Sequence, residues 1–300
     1  MSVAFNSECL LCHMGRYIKT ARSLGTEEQA TAFARDLMQL YLSAPDGVGS
    51  PWFGPGTQDL LEKHYNVPHD RYVEEKAESN RFVLSRLNQI REKVVAAEDP
   101  VFAGLQMAIL GNYIDFAALQ GEISFEKLDE MLENASRMEL DQDAYASLCA
   151  DLNQGKNLLY LTDNAGEIGF DRIFAEEIHK KYPHLQITFC VRGAPAMNDA
   201  TREDASAVGI PFPVIDNGNR VAGTDLDQLG AEARAALESA DVIIAKGMAN
   251  TETMYGCGYN IYYAFLIKCP RFVSVFGKPK MTPMLVRRNR KSNSHNFIQT

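Results

Sequence analysis

Three stretches of this chain hold the side chains with the most chemistry to offer. They are Asp163-Asn164 with Glu167, Asp199 with Arg192 upstream, and Lys246 with Asn250 downstream. Asp163, Asn164 and Asp199 supply only oxygen ligands, which suit hard cations such as Mg²⁺ or Mn²⁺ better than zinc. Lys246 adds a compact positive charge for a phosphoryl oxygen, and Gly247 beside it leaves the backbone open. The turn after Asn164 opens a helix, whose free N–H groups can hold an anion. Singly, each feature has a plainer reading. Asp-Asn after a strand is a common turn and cap pair, and a carboxylate in a first helical turn is favoured by the helix dipole. Three such features at strand ends of one sheet favour a site for a divalent metal and a phosphate.

The elements that must position these residues are legible as apolar runs. Leu158-Leu159-Tyr160-Leu161 is cut off by Thr162-Asp163-Asn164, the run 187–191 by Arg192-Gly193, and the run 242–245 by Lys246-Gly247. Further strand-like runs are 214–215 and 272–275, the last ending in Gly277-Lys278. Helical patterns near 170–181, 199–208, 226–239 and 259–267 alternate with them. Short strands separated by helices imply a mostly parallel, Rossmann-like sheet flanked by helices. The carboxyl edge of such a sheet is where ligands bind. Residues 1–152 read instead as an all-α domain with helices over 27–42, 71–97, 101–118, 125–135 and 144–152. The stretch 43–56 is rich in proline and glycine and reads as a loop. The expectation is a helical, substrate-selecting domain over 1–152 and an α/β metal- and phosphate-binding domain over 153–300.

Bulk properties narrow the function. The chain has 300 residues, 46% of them hydrophobic, enough for a large core and roughly two domains. A net charge of -9 argues against a nucleic-acid partner, which needs a basic face. No apolar run approaches the roughly 20 residues of a membrane span. The N-terminal residues have neither the basic start nor the apolar core of a signal peptide. The expected compartment is the cytoplasm, where the six cysteines are not a disulfide framework. Cys149, Cys190 and Cys269 lie in apolar surroundings and read as small hydrophobes. Cys9-Leu10-Leu11-Cys12-His13 has the letters of a c-type haem attachment site, a reading that requires export. The alternatives for Cys9 and Cys12 are packing near the domain junction, or a soft-metal or redox site that His13, His64 or Cys257 could complete.

Familiar phosphate motifs are absent. The chain has no GxxxxGK[ST] loop, and its first β–α turn, Asp163-Asn164-Ala165-Gly166-Glu167, is not GxGxxG. Alanine at 165 also weakens a covalent aspartyl-phosphate mechanism, which needs Asp-x-Asp.

The segments TDNAGEIGFDR, RGAPAMNDAT and AKGMANTE resemble the damage-control phosphatase family, long known as domain-of-unknown-function family eighty-nine, with acidic-residue methyltransferase-like relatives. The resemblance continues upstream in Asp70-Arg71-Tyr72, Lys76 and Ser79-Asn80, in Gly111-Asn112 with Asp115, and in Cys9 and Cys12, similar to the N-terminal pair of the prokaryotic branch. It implies phosphatase activity on small phosphorylated metabolites, such as sugar phosphates or damaged side products, with a divalent cofactor (Mn, Mg, Co or Ni). It puts the metal triad on Asp163, Asn164 and Asp199, the phosphate-binding lysine on Lys246, and substrate contacts from the helical side on Asn112 and Asp115. Arg192 and Asn250 join them as substrate-binding candidates from the strand ends. Asp163 or Glu167 is the candidate for orienting or deprotonating the water. Two other functions compete: a non-catalytic binder of a phosphorylated metabolite or nucleotide, and a protein carboxyl methyltransferase. The second lacks the glycine-rich loop expected to receive a nucleoside cofactor. The expected partner is a small phosphorylated metabolite, with no nucleic acid, no membrane, and the oligomeric state left open.

Overall fold

The computed structural model describes residues 3–118, 130 and 132–288, without the side chains of 114–118. One sheet organises it. Its strands are β1 (Asn157–Leu161), β2 (Gln186–Val191), β3 (Val214–Asp216), β4 (Val242–Lys246), β5 (Ile261–Leu266) and β6 (Pro283–Arg288), in the order β3-β2-β1-β4-β5-β6. All neighbours pair in parallel except β5 and β6, which are antiparallel. The fold is therefore α/β with a mostly parallel sheet. The strand order reverses between β1 and β4, and the crevice outside their carboxyl ends is the usual ligand position in an open α/β sheet.

Helices cover both faces. In the first half run α1 (Ser7–Leu24), α2 (Glu27–Leu42), α3 (Phe53–Tyr65), α4 (Val73–Val95), α5 (Pro100–Ala118) and α6 (Gln142–Gln154). Between strands run α7 (Glu167–Lys181), α8 (Arg202–Ala207), α9 (Ala231–Ser239), α10 (Gly247–Met254) and α11 (Pro270–Phe276). Local chemistry sets several starts. Asn6 caps α1 by accepting from Cys9 N, Thr26 and Gln29 form a capping box on α2, and Asp141 accepts from Ala144 N at the start of α6. No described helix is long and apolar enough to cross a membrane. The helix expected over 125–135 lies mostly outside the described residues.

Packing crosses the boundary at residue 152. Leu158, Tyr160, Ile244 and Tyr262 on one face of the sheet share a core with Val101, Leu105 and Ile109 of α5 and Leu148 and Leu152 of α6. On the other face Leu159, Leu161, Ile243, Tyr263 and Phe265 pack with Leu237 of α9, Met254 of α10 and Phe272 of α11. Tyr17, Ala21, Ala30, Phe33, Leu37 and Leu61 of α1–α3 form a smaller core of their own.

Two elements reverse the sequence expectation. Residues 259–267, read as a helix, contain β5; residues 272–275, read as a strand, lie in α11. Every residue of β5 is buried, and a strand covered on both faces loses the alternation that distinguishes it from a buried helix. Pro270 sits in the first turn of α11, where a missing N–H costs nothing, and Gly277 ends that helix at φ +64. Gly277-Lys278 is thus a helix end, and the chain leaves β5 through Ile267-Lys268. The stretch 43–56 also differs from a plain loop, because α3 already begins at Phe53. Pro55 falls in its first turn, where backbone N–H groups lack intrahelical partners.

Candidate functional site

Asp163 leaves β1 and Gly247 follows β4, so both stand at the reversal of strand order. They touch: a Cβ built on Gly247 would lie 1.9 Å from Asp163 Oδ2, and Gly247 takes φ +78. Only glycine meets both demands. Asp199 reaches the same point from the β2 exit. Asn164 and Asp199 form an isolated antiparallel bridge, Ala200 N donates to Asp163 O at 2.8 Å, and Ala165 N donates to Asn198 O at 2.9 Å. Met197, at φ 52, makes the tight turn that returns the chain to this bridge. A non-glycine residue in that region costs on the order of 1 kcal/mol and persists when the surroundings hold it there. Asp163, Asn164 and Asp199 are all buried.

Glu167, in the first turn of α7, is fully buried and acts as a hub. Its Oε2 accepts from Asn112 Nδ2 at 3.0 Å and Asn164 Nδ2 at 3.1 Å; its Oε1 accepts from Lys246 at 2.6 Å. The same two amides each donate to Asp163 Oδ2 at 2.8 Å. Both Asn164 donors point inward, so its carbonyl oxygen is the atom left to act as a ligand. Lys246 Nζ is fully buried and donates to Ala108 O at 2.7 Å, Glu167 Oε1 at 2.6 Å and Asp171 Oδ1 at 2.9 Å. Burial opposes this ammonium, but the carboxylates of Asp171 and Glu167 outweigh it and hold the lysine above its ordinary range. Burial likewise opposes the Glu167 carboxylate, and Lys246 with the Asn112 amide and Lys268 holds it below the usual range. Asp171 is pushed up to about 6 by burial and by the charge of Glu167, with Lys246 pulling the other way. Tyr160 OH donates to Asp171 Oδ1 at 2.8 Å.

Several expected roles meet a different setting. The three N–H groups of Lys246 are engaged inside the protein. The N–H groups of Ala165, Gly166, Ile168 and Gly169 are also satisfied, by Asn198 O, Asn80 Oδ1, Asn164 O and Gly166 O, so this helix start is not the open anion cradle the turn suggested. Arg192 is buried behind Asp199. Its Nε donates to Asp199 Oδ2 at 2.6 Å and its Nη2 to Thr162 O at 3.0 Å. Asn250 is fully buried, donating to Thr162 O at 2.9 Å and Lys246 O at 2.7 Å and accepting from Thr224 Oγ1. It laces together the exits of β1 and β4. Asn112 joins the site directly, whereas the Asp115 side chain lies outside the described residues.

Sequence reasoning missed Lys268. It stands half-buried at the β5 exit, and its charge reaches Glu167. The misread strand hid it: with 259–267 taken as a helix, no strand end drew attention to position 268. Helix α10, which begins at Gly247, opens without a side-chain cap.

The first-half residues in the resembling segments brace the β1 exit. Gly166 N donates to Asn80 Oδ1 at 2.7 Å, Asn80 Nδ2 donates to Asp204 Oδ1 at 2.8 Å, and Lys76 pairs with Asp204 at 2.6 Å. Two hollows flank the loop that carries Asp199. One, of about 540 Å³, is lined by Lys76, Asn80, Arg192, Thr201 and Asp204. The other, of about 190 Å³, is lined by His13, Arg16, Tyr17, Gln58, Arg220 and Glu252. Asp59, Glu62 and His69 gather ligand atoms within 4.8 Å of one another, but Arg220 already covers Asp59 with two bonds of 2.7 Å and meets His69 Nδ1 at 2.9 Å. Of the partners imagined for Cys9 and Cys12, His13 Nδ1 bonds the Tyr41 hydroxyl and His64 Nε2 bonds Asp36.

Residues 5–283 match the family model described as the damage-control phosphatase ARMT1-like domain. The chain is 34% identical over 282 residues to the Uncharacterized protein MJ0202 of Methanocaldococcus jannaschii, covering 89% of this chain and 90% of that protein. It is 36% identical over 251 residues to the Damage-control phosphatase of Archaeoglobus fulgidus, covering 82% and 85%. Its fold is similar to the crystal structure of a DUF89 family protein from Pyrococcus horikoshii, with a TM-score of 0.80 over 95% of this chain and 99% of that one, at 24% identity. The likeness to that structure speaks for the fold; the family model and the relatives speak for descent, and by them this chain belongs to the damage-control phosphatase ARMT1-like family.

Proposed function

We propose that this protein is a divalent-metal-dependent phosphatase that hydrolyses phosphomonoesters of small metabolites. The observation that carries the reading is the convergence of Asp163, Asn164 and Asp199 beneath Gly247, where a Cβ would fill the space beside the Asp163 carboxylate. Two carboxylates and an amide carbonyl fit a hard cation such as Mg²⁺ or Mn²⁺ best and can also take the borderline ions Co²⁺ and Ni²⁺. Such an ion, when bound, supplies Lewis-acid polarisation to a phosphoryl oxygen.

The protein's own groups divide the remaining work. Asp163 orients the attacking water and accepts its proton. Glu167 has another task, because both of its oxygens are engaged: it fixes the amides of Asn112 and Asn164, and so the direction of the ligand atoms. Lys246 is a positioning residue that holds Glu167 and Asp171, and Arg192 holds Asp199. Lys268 and the uncapped first turn of α10 receive the phosphoryl oxygens, supplying positive charge where negative charge grows. The organic part of the substrate enters the small hollow lined by His13, Arg16, Tyr17 and Arg220, so that the helical first half selects it.

The test is a panel of phosphorylated sugars and cofactors, incubated with chelator-stripped protein and each of the four ions. Phosphate release that requires an ion supports the reading. Ligand binding without release in every ion would make the protein a metabolite binder. S-adenosylmethionine binding in a calorimeter would favour methyl transfer.

A further inference from the structure

Helix α1 turns one face to the small hollow beside the site. His13, Arg16 and Tyr17 stand three and four residues apart, so they share that face, and all three line the hollow. Other walls come from the site itself. Ala196 and Met197 belong to the loop that carries Asp199, and Ala249 lies in the first turn of α10, which opens at Gly247 against the Asp163 carboxylate. The hollow thus joins the phosphoryl position to α1. Its volume of about 190 Å³ is below the roughly 300–1,000 Å³ of pockets for drug-sized ligands. It suits a short organic body better than a nucleotide.

Charge in this hollow is one-sided. Arg220 lines it too, but Nη2 of Arg220 donates to both Asp59 oxygens at 2.7 Å and its Nη1 meets His69, so that charge is already covered. Arg16 has no such cover: among the described residues its side chain makes no ion pair and no hydrogen bond. Glu252 is the acidic residue on the wall, and its Oε2 accepts from Ser50 N at 3.1 Å. Burial pushes its carboxyl up to about 8, so at neutral pH it does not cancel Arg16. An arginine left open beside a phosphoryl position, in a chain of net charge -9, calls for an acceptor supplied by the ligand.

We propose that the substrate is a short phosphomonoester whose organic body ends in a second oxyanion, a carboxylate or a second phosphoryl group, and that Arg16 selects it. This rests on the phosphatase reading above and adds the chemistry of the substrate's far end. The planar guanidinium offers two parallel N–H bonds to either oxyanion. Asp163, Asn164 and Asp199 take no part in this choice, because they act on the phosphoryl end that all such substrates share. Arg16 is exposed, so the contact is screened by salt and contributes a modest factor to selection rather than deciding whether turnover occurs.

The experiment pairs substrates that differ at the far end: phosphoglycerate with glycerol phosphate, and phosphogluconate or glucose bisphosphate with glucose phosphate. The full chain is assayed with Mn²⁺ for phosphate release, and the ratio of kcat/KM within each pair is read. The member with the second oxyanion should be favoured by about tenfold. That ratio should fall to near one in Arg16→Gln, recover in part in Arg16→Lys and invert in Arg16→Glu. The carboxylate and bisphosphate arms tell the two oxyanions apart. On the same proteins, calorimetry compares carboxyethylphosphonate with propylphosphonate, neither of which can be hydrolysed. A preference for carboxyethylphosphonate that Arg16→Gln removes, with no phosphate released from any substrate, would sink the phosphatase reading and leave the Arg16 contact standing. Ratios near one in both assays of the wild type, or a preference that survives Arg16→Gln, would overturn the proposal whatever the turnover.

Discussion

Lys246 and Lys268 leave neighbouring strands with the same charge, yet their surroundings assign them different work. Lys246 is sealed between Glu167, Asp171 and Ala108 O, all within 2.9 Å. Removing it strands two carboxylates in the core. Lys246→Met should therefore cost about 3–5 kcal/mol of stability, read from urea unfolding, and any loss of turnover should follow from disordered ligands. Lys268 is half-exposed at the crevice. Lys268→Met should leave the unfolding midpoint nearly unchanged while kcat/KM falls by about 10²–10³. The sequence made both the charge and the strand-end position of Lys246 visible. It did not make visible that three acceptors surround the ammonium, since Ala108, Glu167 and Asp171 belong to two helices far from it in the chain. Arg192 teaches the same point: its position after β2 suggested a substrate contact, but its guanidinium braces Asp199 from behind.

Among the elements, α10 is the one whose start decides the site. Gly247 opens it against the Asp163 carboxylate with a backbone conformation other residues avoid. Gly247→Ala should push that carboxylate aside, abolish most turnover, and cost about 1–3 kcal/mol from the backbone alone; paired activity and unfolding measurements would check this. The glycine after an apolar run was legible in sequence, as were β1, β2, β3 and β4 with their exits. Strand β5 and helix α11 were not. Their burial removes periodicity, and what separates them is the aromatic and β-branched character of 261–266 against the Pro270 start and Gly277 end of the helix. That exchange of two elements is the whole reason Lys268 went unnoticed.

For the whole molecule, the first half is part of the core as well as a helical layer of its own. Helix α5 lies under the sheet and sends Asn112 into the site, while α1–α3 pack around their own cluster at the rim. His13 sits in that rim among Phe5, Tyr17, Tyr41 and Phe53. Burial, with the charge of Arg16, lowers it to about 4. The unfolded chain takes up this proton near the ordinary histidine value, and the folded chain does not until about pH 4. Stability should thus fall as pH drops through that window, with a slope of about 1.4 kcal/mol per pH unit. In His13→Phe the urea midpoint should fall less between pH 6.5 and 4.5 than in the wild type. All of this bears on how the halves are held; the proposed function rests on three oxygen donors from the β1 and β2 exits. The most direct measurement is therefore Mn²⁺ titration of chelator-stripped protein by electron paramagnetic resonance, in wild type and in Asp163→Asn and Asp199→Ala, with phosphate release followed in the same samples. The account predicts one Mn²⁺ site in the wild type, lost together with phosphate release in both variants while the fold is kept. Undiminished Mn²⁺ binding and turnover in the two variants would contradict it.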